Sequence, residues 1–180
     1  MEATYRALSE SEFEQLRDDP EGAENFLWHL DLLDDGEALL RKEQEEATAG
    51  RRFTLEKDWH ALHFLLTGDA GLDLPPDPSP LGKVVLGGSD TEWEASYGQV
   101  RLLSAQEVSD AAAALRSISL EDLQNRFDPT RFNEMNIYPN PRPGGWTHDR
   151  IQSLWDIYPG LVRFFEAAAT ERAVILVYLE

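Results

Sequence analysis

Residues 173–179 read Ala-Val-Ile-Leu-Val-Tyr-Leu, seven apolar side chains in succession. A run this short cannot cross a bilayer as a helix, which takes about 20 residues. Its β-branched Val174, Ile175 and Val177 favour extended backbone. A strand with one wet face alternates apolar and polar side chains, and this one does not, so it reads as a strand buried on both faces. Such a strand belongs at the centre of a sheet covered on two sides. A central strand at 173–179 also means that the sheet closes only when the last residues pair, so truncation there is expected to be damaging.

The rest of the chain supplies fragments of that sheet and the helices around it. Thr4–Leu8, Lys83–Leu86 and Gln99–Leu103 are further strand candidates. Capping-box pairs, in which a serine or threonine and an acid three residues later satisfy each other's backbone N–H groups, mark helix starts. They occur at Ser9/Glu12 (or, in another register, Ser11/Glu14) and Ser104/Glu107, with a similar Ser119/Asp122. Asp19-Pro20 and Asp128-Pro129 place an N-cap before a proline suited to the first helical turn. Phe26, Leu27, Leu30 and Leu33 form one helical stripe, and Leu55, Trp59, Leu62 and Leu66 another, with Thr54 as its candidate cap and Gly68 as its stop. Ile151, Leu154, Trp155 and Tyr158 begin a helix that Pro159-Gly160 is expected to break or kink before Leu161, Phe164, Phe165 and Ala168 resume the period. Ser89–Ser96 reads as a surface loop and Leu72–Leu81, with four prolines, as an extended one. Residues 34–52 are charged and poor in apolar residues, consistent with an exposed helix or a mobile insertion. The fold class is therefore α+β: a three- or four-stranded mixed sheet, a buried C-terminal strand and at least five helices in one domain over residues 1–180.

Composition narrows the function. Chain length allows burial of about 70% of the surface, enough for one core without staples. No cysteine is present, which removes disulfides, thiolate metal sites and cysteine nucleophiles. The formal charge of −18 opposes binding to the nucleic-acid backbone and to anionic lipid surfaces. Met1–Leu8 does not read as a signal peptide. A cytoplasmic protein is the expectation. Residues 1–50 hold 15 acidic and four basic side chains, a balance of −11. Such a segment is either a solvated helical face or a surface that attracts a basic partner.

Several segments resemble the YfbM-like family of bacterial proteins of unknown function: 59–68 (WHALHFLLTG), Gly87-Gly88, 97–104 (YGQVRLLS), 126–129 (RFDP), Ile137-Tyr138-Pro139, and 165–169 (FEAAA) with 173–179. They span most of the chain. The charged 34–52 segment is long for the family, and Gln99 stands where proline would be expected. The resemblance implies a small cytosolic α+β domain. It brings no established reaction and assigns no catalytic residue.

Candidate residues come instead from position and chemistry. Trp59, His63, Tyr97, Arg101, Tyr138 and Trp146 sit at element ends or in turns, where one pocket could gather them. Against this, the arginine could pair with any of many carboxylates and the rings could simply pack. His60 and His63, three apart on a helix, are weak metal candidates without a supporting third ligand; the competing reading is core histidines bonded to backbone. Gly87-Gly88 lacks the lysine and hydroxyl of a phosphate loop and reads as a tight turn. No nucleophile elbow is present, and no cofactor is implied. The leading expectation is a non-catalytic acidic interaction module, for instance an immunity-like protein that neutralises a basic toxin. Glu10, Glu14, Asp18 and an exposed Trp93 are its candidate contact surface. The alternative is a small-molecule-binding protein or hydrolase built on His63, Arg101 and Tyr138.

Overall fold

The computed structural model describes residues 1–71 and 78–180. In chain order the elements are β1 (Ala3–Leu8), α1 (Glu10–Asp18), α2 (Pro20–Trp28), α3 (Gly36–Thr48), β2 (Arg52–Thr54), α4 (Trp59–Thr67), α5 (Pro80–Leu86), β3 (Ser89–Ala95), β4 (Gly98–Leu103), α6 (Ala105–Arg116), α7 (Leu120–Arg126), α8 (Pro129–Glu134), α9 (Gln152–Thr170) and β5 (Val174–Leu179). Short 3-10 turns at Leu30–Leu32 and Glu56–Asp58 precede α3 and α4.

The strands form one sheet in the order β2-β1-β5-β4-β3. The C-terminal strand is central, as its unbroken apolar run requires. It pairs antiparallel with β1 (Ala3 opposite Leu179, Leu8 opposite Val174) and with β4 (Arg101 opposite Val177, Leu103 opposite Ile175). Ile175 and Val177 face a large core built with α4–α9, while Val174, Leu176 and Tyr178 face a smaller core under α1 and α2. The sheet is thus the middle of three layers.

The expected three or four mixed strands are five, and every pairing is antiparallel. The two extra strands are the edges, β2 and β3. Edge strands are kept short or polar so that they do not recruit other chains, so neither carries a strong apolar signal. Ser89–Ser96, expected as a loop, is largely β3. Its Trp93, expected to be exposed, is buried, with its ring edge-on to Phe13 of α1 at 5.9 Å. Lys83–Leu86, expected as a strand, is the body of α5. Ser79 accepts a hydrogen bond from the Gly82 N–H at 3.1 Å, Pro80 opens the helix, and Gly87 ends it.

The capping boxes at Ser9/Glu12, Ser104/Glu107 and Ser119/Asp122 all form. Asp19 and Asp128 cap α2 and α8. Thr54 does not cap α4: it belongs to β2, and a 3-10 turn intervenes. Pro159 lies inside α9 without ending it. An internal proline costs about 3 kcal/mol, but Trp155, Tyr158, Leu161, Phe164, Phe165 and Ala168 are all buried along one stripe, and their burial outweighs that cost. The segment around residues 34–52 is a helix, α3, followed by β2. Of the proline-rich 72–81 stretch, residues 72–77 lie outside the described residues. No helix among the described residues is long and apolar enough to cross a membrane.

Candidate functional site

Where β4 starts and β5 ends, the sheet stands clear of the helices beneath it and leaves a cavity of about 350 Å³. Odd-numbered residues of β4 and β5 face this side, which places Gln99, Arg101, Val177 and Leu179 in its wall. Trp59, at the start of α4, and Val85 and Leu86, at the end of α5, form the opposite wall. Tyr97 stands at the rim, 56% exposed.

Three of the six residues singled out from the sequence, Trp59, Tyr97 and Arg101, therefore meet in one cavity. Tyr138 lies directly behind it. Its ring packs on Trp59 at 5.6 Å, and its hydroxyl donates to the Met1 carbonyl at 3.3 Å. Burial holds the Tyr138 pKa above its ordinary value, and Tyr97 and Glu2 push it the same way. The other two residues are elsewhere. His63 is 1% exposed and does not line the cavity. Trp146 is part of the core, where its indole N–H donates to the Ile137 carbonyl at 2.8 Å. His63, Arg101 and Tyr138 thus do not converge on one cleft.

Arg101 is committed to architecture. Its Nε and Nη2 donate to the carbonyls of Gly87 (3.2 Å) and Gly88 (2.6 Å), and its Nη1 to Asp90 at 2.9 Å. The Gly-Gly pair makes this grip possible. Gly88 has φ +96, and a Cβ there would lie 2.5 Å from the Leu102 carbonyl oxygen. A Cβ on Gly87 would collide with Lys83.

His60 also has its bonds assigned. Its Nδ1 accepts from the Tyr138 backbone N–H at 2.9 Å, so its Nε2 carries the proton and donates to the Ala70 carbonyl at 3.2 Å. Neither nitrogen keeps a lone pair for a metal. Among the described residues no group of three potential ligands is gathered.

Burial lowers the His60 pKa, against an upward push from the Ala70 carbonyl and Asp69. Burial lowers that of His29 as well, with Glu46 raising it and Arg6 lowering it. A histidine whose folded pKa is depressed takes up its proton first in the unfolded state. Its contribution is complete above about pH 6.5 and is lost as pH falls through that value. Asp58, raised by burial despite a hydrogen bond from Ser153, acts with the opposite sign from about pH 4 upward. Between about pH 7.5 and 5.5 we expect the unfolding free energy from urea titrations to fall, by up to about 1.4 kcal/mol per pH unit for each histidine. His60→Asn, which retains an acceptor for Tyr138, is expected to flatten the slope; an unchanged slope in the variant would contradict the assignment.

A second constellation had no counterpart in the sequence reading. Arg6 on β1 is 1% exposed, and its Nη2 donates to Glu46 of α3 at 3.0 Å. Glu46 also receives His29 Nε2 at 3.3 Å and Lys42 Nζ at 3.9 Å. Arg52 stands directly opposite Arg6 in the sheet and reaches Glu43 of α3 at 2.9 Å. One signal was available, an arginine inside the otherwise non-ionic Thr4–Leu8 strand. Outside this buried seam the N-terminal layer is wet and acidic. Glu10, Glu14 and Asp18 share one face of α1 and are exposed, as expected, whereas Trp93 lies beneath that helix rather than beside them.

These features define a small α+β domain whose five-stranded antiparallel sheet separates a large helical core from a smaller acidic layer. A family model described as a domain of unknown function, DUF1877, matches residues 1–178, and the chain belongs to that family. It is 35% identical over 109 residues to Protein YfbM of Escherichia coli (strain K12). That match takes in 60% of this chain and 64% of that protein, so it spans less than two thirds of the relative's length. The crystal structure of YfbM, itself described as a protein of unknown function, superposes with a TM-score of 0.65 over 98% of each chain at 24% identity. At that identity the likeness is one of fold.

Proposed function

We propose that this protein is a non-catalytic recognition module of the bacterial cytosol that docks a basic, partly apolar protein segment on its N-terminal helical layer. The observation that carries this reading is a patch around the α2–α3 connection. Leu30, Leu33 and Leu40 are 45%, 59% and 68% exposed, and the neighbouring Asp31, Asp34, Asp35 and Glu37 are all exposed. Large apolar side chains left in water among like charges suit a partner with cationic and aliphatic groups. The acidic face of α1, with Glu10, Glu14 and Asp18, extends the same negative field and would speed the encounter. Neutralising a basic toxin is one concrete form of such a role. A hydrolase using His63, Arg101 and Tyr138 is not favoured, because the imidazole is buried away from the guanidinium and the guanidinium is already spent on the Gly87-Gly88 turn.

The chain, used as bait in cells of its native host, is expected to retain a basic protein. With both components purified, the dissociation constant should rise at least about tenfold between about 50 and 500 mM salt. It should rise by a similar factor in an Asp31→Lys/Asp34→Lys variant, and Leu33→Ala/Leu40→Ala should weaken binding at every salt concentration. Failure to find any basic partner that responds to both salt and charge reversal would overturn the proposal.

A further inference from the structure

The cavity at the β4–β5 end has a feature the packing does not explain. Trp59 is 1% exposed, yet its indole N–H has no hydrogen-bond partner. In the facing wall, the Gln99 side chain donates through Nε2 to Glu94 at 3.0 Å. Glu94 can only accept, so the amide orientation is fixed, and the Gln99 Oε1 is left buried without a donor. Buried polar groups are nearly always satisfied, and each orphan costs free energy in the empty protein. Here an orphan donor and an orphan acceptor border one cavity, whose remaining surface, apart from Arg101, is mainly aromatic and aliphatic: Trp59, Tyr97, Val85, Leu86 and Leu179.

We infer that this cavity is a binding site for a small, flat, uncharged molecule carrying a carboxamide or equivalent paired donor and acceptor. The volume of about 350 Å³ is at the small end of the range for ligand pockets. The walls suit an apolar ring. The ligand's carbonyl would accept from Trp59 Nε1, and its N–H would donate to Gln99 Oε1. Charge is disfavoured from both directions. A carboxylate could satisfy the indole and would gain from Arg101, but that guanidinium is already paired with Asp90 and bonded to the Gly87 and Gly88 carbonyls, and the ligand would set acceptor against acceptor at Gln99 beside the Glu94 carboxylate. A cation would lie against Arg101, although Asp90 partly offsets that charge at 2.9 Å. The inference is independent of the protein-docking proposal, since the cavity and the α2–α3 patch lie on opposite faces of the sheet.

Three ring compounds test it: benzamide, benzoate and toluene, titrated into the full chain up to about 10 mM, the range for fragment-sized ligands. The readout is amide chemical shifts, with the Trp59 indole N–H as the reporter of the key bond. Benzamide is expected to bind, to shift that indole resonance downfield and to perturb Tyr97–Arg101. Benzoate and toluene should bind at least about tenfold more weakly. Gln99→Leu should cost benzamide about tenfold while improving toluene. Leu86→Trp, which fills the cavity from a partly exposed position, should abolish binding. Thermal melts of both variants confirm that they fold. Absence of benzamide binding to the native chain would overturn the inference. So would equal binding of all three compounds, or binding that leaves the Trp59 indole unshifted or survives Leu86→Trp.

Discussion

A chain ending at Arg172 is expected not to fold. Removing Ala173–Glu180 should abolish the cooperative unfolding transition and leave a helical but loosely packed chain by circular dichroism. The sheet order makes the reason plain: among the described strands, β5 is the one that joins the β2-β1 half to the β4-β3 half. Adjacent strands lie about 4.8 Å apart, so loss of the central one leaves β1 and β4, each with one edge unpaired, nearly 10 Å from each other, a gap no small shift can close. Val174, Ile175, Leu176, Val177 and Tyr178 are each 4% exposed or less. At about 1.5–3 kcal/mol per buried apolar side chain, their loss is on the order of 10 kcal/mol, comparable to the whole stability of a domain of this size. A graded version uses the same strand. Leu176→Ala, in the smaller core, should lower stability by about 2–5 kcal/mol, and Leu176→Asp should cost more, since Arg6, directly opposite it, is already paired with Glu46 and only partly offsets a buried carboxylate. A truncated chain that still unfolds cooperatively would mean that the two half-sheets stand alone.

That strand was also the most legible feature of the sequence, because burial on both faces writes itself as an unbroken apolar run. Helix starts were legible for a similar reason. Ser9, Ser104 and Ser119 cap through contacts three residues away, so the information is local. The edge strands were not. Arg52–Thr54 and Ser89–Ala95 earn their place by pairing with β1 and β4, and pairing partners 50 or 10 residues distant leave no mark in a short window. Trp93 misled because its neighbours along the chain are polar; in a strand, those neighbours point the other way. The cavity was half visible. Trp59 and Tyr97 sit at element ends, and element ends gather where a sheet stops; Arg101, also expected at an end or turn, lies inside β4. Gln99 and Leu179 gave no comparable hint, since their role depends on which face of β4 and β5 turns toward α4. The charged 34–52 segment hid the most, because a carboxylate aimed at solvent and one aimed at a buried arginine look alike in sequence.

Glu46→Ala is expected to cost about 3–5 kcal/mol, far more than an ordinary helix-surface substitution. Arg6 cannot leave the interior. It lies mid-strand, opposite Leu176 on one side and Arg52 on the other, with its guanidinium over the Phe26 ring at 4.3 Å. Its Nε and Nη1 donate to no acceptor at ordinary hydrogen-bond geometry, and although the Tyr178 hydroxyl stands beside the guanidinium, Glu46 is its principal compensation, so deletion strands a buried cation. Glu46→Gln, which keeps an acceptor but not the charge, should fall between. The decisive comparison is the double variant Arg6→Met/Glu46→Leu. Replacing a buried ion pair by apolar groups of similar size is often neutral or better, so the double variant should recover most of the loss, giving a large coupling between the two sites. Urea midpoints measure all three. Hydrogen exchange then locates the damage: if α3 is held to the sheet by Glu43 and Glu46 rather than by apolar packing, Glu46→Ala should strip protection from 36–48 before it affects β5. A Glu46→Ala variant within 1 kcal/mol of the native chain, or a double variant no better than the single, would mean that apolar contacts and not the arginine–carboxylate seam seat this helix.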